Sequence, residues 1–398
     1  MRIQIWRITL KILMVIMGGV AGLLILELGV RLLPLPYSTS DGDAHICSTE
    51  FGWLGKPDHD EWRTTDGYTV RVRHNQFGMH DTDHSQAKSS DTYRVLMLGD
   101  SFTWAAQVNE QETSSHILQD LLKQGLSPRP VEVINAGVTG WSTEQELLYY
   151  RQIGYSYQPD LVLLMFYVGN DVYGNLPGEA RTLAGRNCYS PYFVVCNGQF
   201  DPVPLTYAPG VSSLQPDCSP YKHWFINFLG WLYQSSRLYA QIEPLFVKVR
   251  PLSINLPPYL LYNPKTSQPF DYAWQVTLAT IRQLYREVNN NGSRLVVVLI
   301  APAEVVKVAL LRPSQLEEIF QKIPNLRQAH LDLPHQRLIT ELSKDGIEIL
   351  DLQPEFIHYA VKQNAELYFP VDKHWNVEGN KLAAQLIFNY LQKGKTND

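Results

Sequence analysis

Three short, almost continuous apolar runs lie between residues 94 and 166, separated by stretches with helical spacing. They are Arg94-Val95-Leu96-Met97-Leu98, Val131-Glu132-Val133-Ile134 and Leu161-Val162-Leu163-Leu164-Met165-Phe166. Ile117, Leu118, Leu121 and Leu122 share one helix face between the first two, and residues 143–153 read as the next helix, with Leu147 and Leu148 inward. Strands apolar on both faces need cover on both, as in a parallel sheet flanked by helices. The pattern resumes near residue 272. Trp274, Leu278, Ile281, Leu284 and Tyr285 mark a helix face ended by Asn289-Asn290-Asn291-Gly292. Residues 295–300 and 347–350 read as a fourth and a fifth strand, with a helix in 331–344 ended by Gly346. Leu382, Leu386, Ile387, Tyr390 and Leu391 mark a final helix. The expected class is α/β, built from right-handed βαβ units around about five parallel strands.

What stands at the strand ends gives this sheet its chemistry. The first run stops at Gly99-Asp100-Ser101-Phe102, the second at Asn135-Ala136-Gly137-Val138-Thr139-Gly140, and the third leads to Gly169-Asn170-Asp171. Open α/β sheets hold ligands beyond the carboxyl ends of their strands. Ser101 falls where a strand should turn into a helix, a turn that exposes Oγ beside backbone N–H groups. Serine is a poor nucleophile without a base. His374 is the candidate base, and Asp372, two positions earlier, shares its side of an extended segment and would hold Nδ1–H. Asn376 is placed to cap the final helix just after this pair. Gly140 offers a backbone N–H, and Asn170 a side-chain amide, to a developing oxyanion. Taken singly, each residue has a structural reading as a turn glycine, an Asx-turn or a surface ion pair. Taken in order, they describe one acyl-transfer site.

This constellation resembles the SGNH/GDSL hydrolase family. Gly99-Asp100-Ser101 matches the first family block, with Ser101 as nucleophile. Gly140 matches the oxyanion glycine of the second, and Asn170 the oxyanion donor of the third. Asp372 and His374 match the last. The resemblance covers about residues 93–173 and 272–393. It implies a flavodoxin-like SGNH fold, an acyl-serine mechanism on acyl or acetyl esters, often on glycans, and no cofactor. Two features depart from the common form: Phe102 replaces leucine, and one residue rather than two separates Asp372 from His374. That spacing, with Trp375-Asn376 following, looks like the membrane-associated branch that includes polysaccharide O-acetylation proteins.

The N-terminus predicts a membrane anchor. Residues 12–26 carry no charge, and Leu28, Gly29, Val30, Leu32 and Leu33 extend the apolar run to the roughly 20 residues a spanning helix needs. Glu27 and Arg31 are four apart and should pair near the interface. Arg2, Arg7 and Lys11 precede the run, placing the N-terminus in the cytoplasm and the remainder outside. No small-x-small cleavage site follows, which favours a retained anchor over a cleaved signal peptide. The net charge of −5 gives no case for nucleic acid. The expected organisation is an anchor over 1–36, a juxtamembrane and lead-in segment over 37–92, and an SGNH-type domain over 93–398.

An insertion over about 173–270, rich in Pro, Gly and aromatics, interrupts the domain. Trp224, Phe225, Phe228, Leu229, Leu232 and Tyr233 have helical spacing in it and are expected to pack in the core, with a second membrane contact or a sugar-stacking platform as the alternatives. Cys47, Cys188, Cys196 and Cys218 allow two disulfides in three pairings. One of these closes a short loop between Cys188 and Cys196 and leaves Cys47 with Cys218. Tyr68-Thr69-Val70-Arg71-Val72-Arg73 alternates as a strand, and Asn75-Gln76-Phe77-Gly78 reads as a turn. His80-Asp81-Thr82-Asp83-His84 invites a metal reading but is expected to be a solvated loop. Two rival functions use the same residues: transfer of the acyl group to a sugar hydroxyl, and a non-catalytic glycan-binding or assembly module.

Overall fold

The computed structural model describes residues 2–32, 44–65, 67–125, 129–175, 188, 190–205, 224–225, 228, 236, 261–263, 268–322 and 329–395. It begins with helix α1 (Arg2–Leu32), whose apolar side chains are exposed. Thr9–Leu32 has a mean hydropathy of 2.3 and is long and apolar enough to cross a membrane. The expected pair forms, with Arg31 Nε donating to Glu27 Oε1 at 2.7 Å. Two antiparallel pairs follow: β1 (His45–Ser48) with β2 (Gly52–Gly55), and β3 (Asp60–Thr64) with β4 (Thr69–Arg73).

The regular βα pattern starts at β5 (Tyr93–Gly99), followed by α2 (Ser101–Trp104), α3 (Ser114–Gly125), β6 (Val131–Gly137), α4 (Thr143–Gln152), β7 (Leu161–Phe166) and α5 (Val168–Asp171). An antiparallel pair, β8 (Tyr192–Cys196) and β9 (Gln199–Leu205), lies in the insertion. The remainder comprises α6 (Gln268–Asn290), β10 (Arg294–Leu299), α7 (Ala303–Ala309), α8 (Pro313–Lys322), α9 (Leu333–Ser343), β11 (Glu348–Asp351), α10 (Gln353–Gln363) and α11 (Val377–Lys395).

The five main strands are all parallel, in the order β11-β10-β7-β5-β6. By chain position this is 2-1-3-4-5, the flavodoxin-like doubly wound order, whose crossovers reverse direction between β5 and β7. Alternate residues of each strand build separate cores. Leu96, Ile134, Leu164 and Val297 face α4, α6 and α9 through Leu147, Trp274, Ile281 and Leu338. Val95, Val133, Leu163 and Val298 face α3, α10 and α11 through Leu118, Phe356 and Ile387. This explains the unbroken apolar run of β7, fully buried along its length. Arg94, an exception in the first run, is 1% exposed, and it is held by Glu132 and by the Tyr157 carbonyl.

Two expectations are corrected, and the choice among the disulfide pairings is made. Cys47 is bonded to Cys188, with Cα atoms 5.2 Å apart, so Cys188 does not close a short loop with Cys196. Cys196 is itself disulfide-bonded. Trp224, Phe225 and Phe228 are exposed rather than core residues. The rings of Trp224 and Phe228, four apart, stack on each other at 5.6 Å. Leu229, Leu232 and Tyr233 lie outside the described residues. Finally, the segment around His80 is no solvated loop. His80 is 1% exposed and its Nδ1 lies 2.7 Å from the Trp104 carbonyl. Asp81 Oδ2 accepts from Asn135 N and meets His84 Nε2.

Candidate active site

Ser101 opens α2 directly beyond the end of β5. Asp100 is the N-cap, its Oδ1 accepting from Phe102 N at 2.9 Å. This turn is tight. A Cβ on Gly99 would fall 2.1 Å from Thr103 Oγ1, and one on Gly137 2.3 Å from Trp104 N. Both glycines are demanded by the closeness of the helix to the ends of β5 and β6. The helix stops after one turn, with Ala105 at φ +52°.

His374 reaches Ser101 from 273 residues away, with Nε2 2.7 Å from Ser101 Oγ. Its Nδ1 lies 2.5 Å from Asp372 Oδ1, which also accepts from the His374 backbone N–H at 3.2 Å. The two side chains converge by a different route from the one expected. The segment is no extended strand but a tight loop between bridge partners Tyr368 and Trp375, with Lys373 at φ +71°. Phe369 N donates to the His374 carbonyl and Lys373 N to the Phe369 carbonyl. Asn376 caps α11 as expected, its Oδ1 accepting from Gly379 N at 3.0 Å. Phe102 seats the imidazole, with ring centroids 4.8 Å apart, and also packs on Tyr167 and Trp375.

Asn170 lies on α5 beyond β7, on the other side of the switch point. Its amide donates to Asp100 Oδ2 at 2.5 Å. Asp171 closes the same turn by accepting from Tyr167 N at 2.7 Å. Asp100 was visible only as part of a motif; the structure makes it the link between the serine turn and Asn170. It is fully buried, and burial pushes its carboxyl up to about 6 against the opposing pull of Phe102 N–H, His374 and the Asn170 amide. Burial also pushes Asp372 up, but hydrogen bonds from His374 and Tyr68 and the attraction of His374 outweigh it and leave Asp372 below its ordinary value.

Gly140 follows β6 with φ +71°, and a Cβ there would meet only Trp53 Cζ2 at 3.6 Å, so backbone conformation rather than crowding calls for glycine. Its neighbour Thr139 accepts from Trp53 Nε1 at 2.7 Å. Among the described residues, no hydrogen bond joins Gly140 to Ser101 or Asn170. Ser101, His374, Asp372 and Asn170 are therefore brought together by hydrogen bonds, with Asp100 as the connector. Tyr68, in the turn between β3 and β4, also reaches Asp372, its Oη–H donating to Oδ2 at 3.2 Å, and no sequence motif marks it.

Residues 261–398 match the model of the SGNH hydrolase-like domain of the acetyltransferase AlgX. This match, on two strands and the closing helices of the five-stranded parallel sheet, gives residues 261–398 the class of an SGNH hydrolase-like domain. The matched stretch contains Asp372 and His374 but not Ser101, Gly140 or Asn170. No curated protein matches the chain. Among solved structures it is similar to a two-domain esterase active on acetylated mannans (12% identity, TM-score 0.37, 77% of this chain and 50% of that one). The chain thus spans about half the length of that esterase. It is also similar to the acetyl xylan esterase AlAXEase (13% identity, TM-score 0.39, 75% and 99% covered). A third is a catalytic mutant of Axe2, an acetylxylan esterase from Geobacillus stearothermophilus (12% identity, TM-score 0.38, 77% and 95% covered).

Proposed function

We propose that this chain is a serine-dependent carboxylic-ester hydrolase that cleaves acyl or acetyl esters, carried on glycans, outside the cytoplasmic membrane. The observation that carries this reading is the unbroken Asp372–His374–Ser101 hydrogen-bond chain at the switch point of the sheet. An ionised carboxylate only accepts, so the imidazole nitrogen beside Asp372 bears the proton, and Nε2 is left to accept from Ser101 Oγ–H. Oγ attacks the acyl carbon as Nε2 takes its proton, and Asp372 stabilises the resulting imidazolium. Collapse of the tetrahedral adduct passes that proton to the leaving alkoxide and leaves an acyl-serine. Water then attacks the acyl carbon, giving a proton to Nε2. The bond to Oγ breaks, Oγ recovers the proton, and the acid departs.

The oxyanion donors in this reading are the N–H groups of Ser101 and Gly140 and the second amide hydrogen of Asn170, the first being engaged by Asp100. Each such donor contributes ~3 kcal/mol to the transition state. No cofactor enters these steps. Helix α1 serves as a single-pass anchor over 1–36, with Arg2, Arg7 and Lys11 on the cytoplasmic side. The lead-in covers 37–92 and the catalytic domain 93–398. The Cys47–Cys188 disulfide supports an oxidising compartment for everything after the anchor.

The matched model describes an acetyltransferase, which favours acetyl as the acyl group and supports a second reading. A sugar hydroxyl would replace water in the second half-reaction, with every other step unchanged. The test is turnover of p-nitrophenyl acetate by the full chain in detergent, with and without a glycan acceptor. Free acetate supports hydrolysis and an acetylated glycan supports transfer. Turnover undiminished in Ser101→Ala contradicts both.

A further inference from the structure

The Asp372 carboxylate has a second set of partners that belongs to no motif. Oδ1 is occupied by His374, through N and Nδ1. Oδ2 accepts from Tyr68 Oη–H at 3.2 Å, and the Gln107 amide stands at 3.5 Å, the outer limit of a hydrogen bond. Tyr68 comes from the β3–β4 hairpin, 304 residues away in the chain. We propose that Tyr68 is a positioning residue of the active site, whose phenol fixes the Asp372 carboxylate so that Oδ1 faces the imidazole. This inference rests on the serine-triad reading above.

The hairpin is built to hold that position. Thr65 N donates to the Tyr68 carbonyl at 2.9 Å across its turn. The Tyr68 ring packs on Phe369 at 4.9 Å between centroids, and a Cβ on Gly67 would sit 3.4 Å from the Phe369 ring. Phe369 is the residue whose backbone brackets the Asp372–His374 loop, through its bonds to the His374 carbonyl and Lys373 N–H. The hairpin therefore grips the loop twice, by apolar contact at Phe369 and by a hydrogen bond at Asp372. Its other attachment is to the serine side. Val70 and Val72 are buried with Trp104 and Ala106, and the Arg63 guanidinium lies 5.1 Å over the Trp104 ring. Trp104 belongs to α2, which Ser101 opens. One hairpin thus braces both halves of the triad, alongside the direct packing of Phe102 on His374 and Trp375.

Orientation is the property at stake. A carboxylate's terminal torsion is broad and two-fold, and Asp372 is about a quarter exposed, so without Tyr68 its oxygens exchange more freely toward solvent. Burial first, then the nearby Asp372 charge, pushes the Tyr68 phenol above its ordinary value, which keeps it a donor at neutral pH.

The test is a double-mutant cycle in the full chain, read by the rate of Ser101 acylation by a fluorophosphonate probe and by turnover of p-nitrophenyl acetate. Tyr68→Phe keeps the ring on Phe369. It should lower kcat and the acylation rate by about tenfold, with KM within about twofold and the thermal midpoint little changed. In an Asp372→Ala background, adding Tyr68→Phe should have no further effect. Wild-type rates in Tyr68→Phe, or an equal loss in both backgrounds, overturn the inference while leaving the triad reading intact. Absence of a Ser101 adduct in the wild-type protein overturns the triad reading itself.

Discussion

Gly137 lies directly against the backbone of Trp104: a Cβ at 137 would sit 2.3 Å from the Trp104 amide nitrogen and 2.6 Å from the Thr103 carbonyl carbon. The end of β6 therefore sets the height of the helix that Ser101 opens. Neither atom is the end of a flexible side chain, so Gly137→Ala must displace α2. A shift of ~1 Å at a reacting atom costs up to ~100-fold in rate. Gly137→Ala should lower kcat by about that factor, with overpacking costing ~1–3 kcal/mol of stability. Steady-state kinetics and thermal unfolding of the variant check both.

Lys373 holds a conformation that L side chains rarely adopt, φ +71°, between the two residues of the proposed acid–base pair. Glycine takes this conformation without a Cβ penalty, whereas a β-branched residue resists it. Lys373→Gly should keep activity within a few-fold and leave stability equal or higher. Lys373→Val should lower kcat sharply, because the loop must open to relieve the strain and Asp372 then loses His374. Comparing kcat of the two variants tests this; equal activity would refute it.

Beneath α2 lies a group of histidines whose protonation opposes folding. Burial holds His45 down to about 4 and His74 down to about 3, with further lowering from Arg63 and His59 at His45. Trp104 Nε1 donates to His74 Nε2 at 3.1 Å, so that nitrogen carries no proton in this state. In the unfolded chain both histidines bind protons near 6.5, so below that pH the unfolded state takes up more protons and stability falls. The loss starts near pH 6.5 and ends as each folded histidine protonates, near 4 and 3. Asp100 acts in the opposite sense between about 6 and 3.8, because its folded form binds the proton first. Burial lowers His80 too and the paired Asp372 lies below its ordinary value, both adding to the loss, while the raised His84 acts with Asp100, leaving a net decline. The thermal midpoint should drop steadily from pH 7 to pH 4, and His74→Asn should show a shallower drop.

The five strands and most helices could be read from apolar periodicity, because each strand is buried on both faces and each helix shows one apolar stripe. Ser101 and Asn170 could be read as candidates because strand ends are where a doubly wound sheet presents side chains, and the Asp372–His374 pair because its two residues are neighbours in sequence. The missed features are those decided by contacts between segments distant in the chain. Tyr68 touches Asp372 across 304 residues, with no local pattern to mark it. Cys47 finds Cys188 because β1 meets the start of the insertion, a proximity that spacing alone does not encode. His80 looked solvated among polar neighbours, yet the Trp104 carbonyl and the end of β6 bury it. Lys373 carries no turn signature, and only the bridge between Tyr368 and Trp375 forces its backbone around.

The central claim is that His374 activates Ser101 as a nucleophile. Its most direct test is peptide-resolved mass spectrometry of the full chain in detergent after treatment with a fluorophosphonate probe. The account predicts one covalent adduct, on Ser101, that is lost in His374→Ala. A folded wild-type protein that acquires no adduct on Ser101, or acquires it equally without His374, would contradict the account and favour a non-catalytic, glycan-binding role.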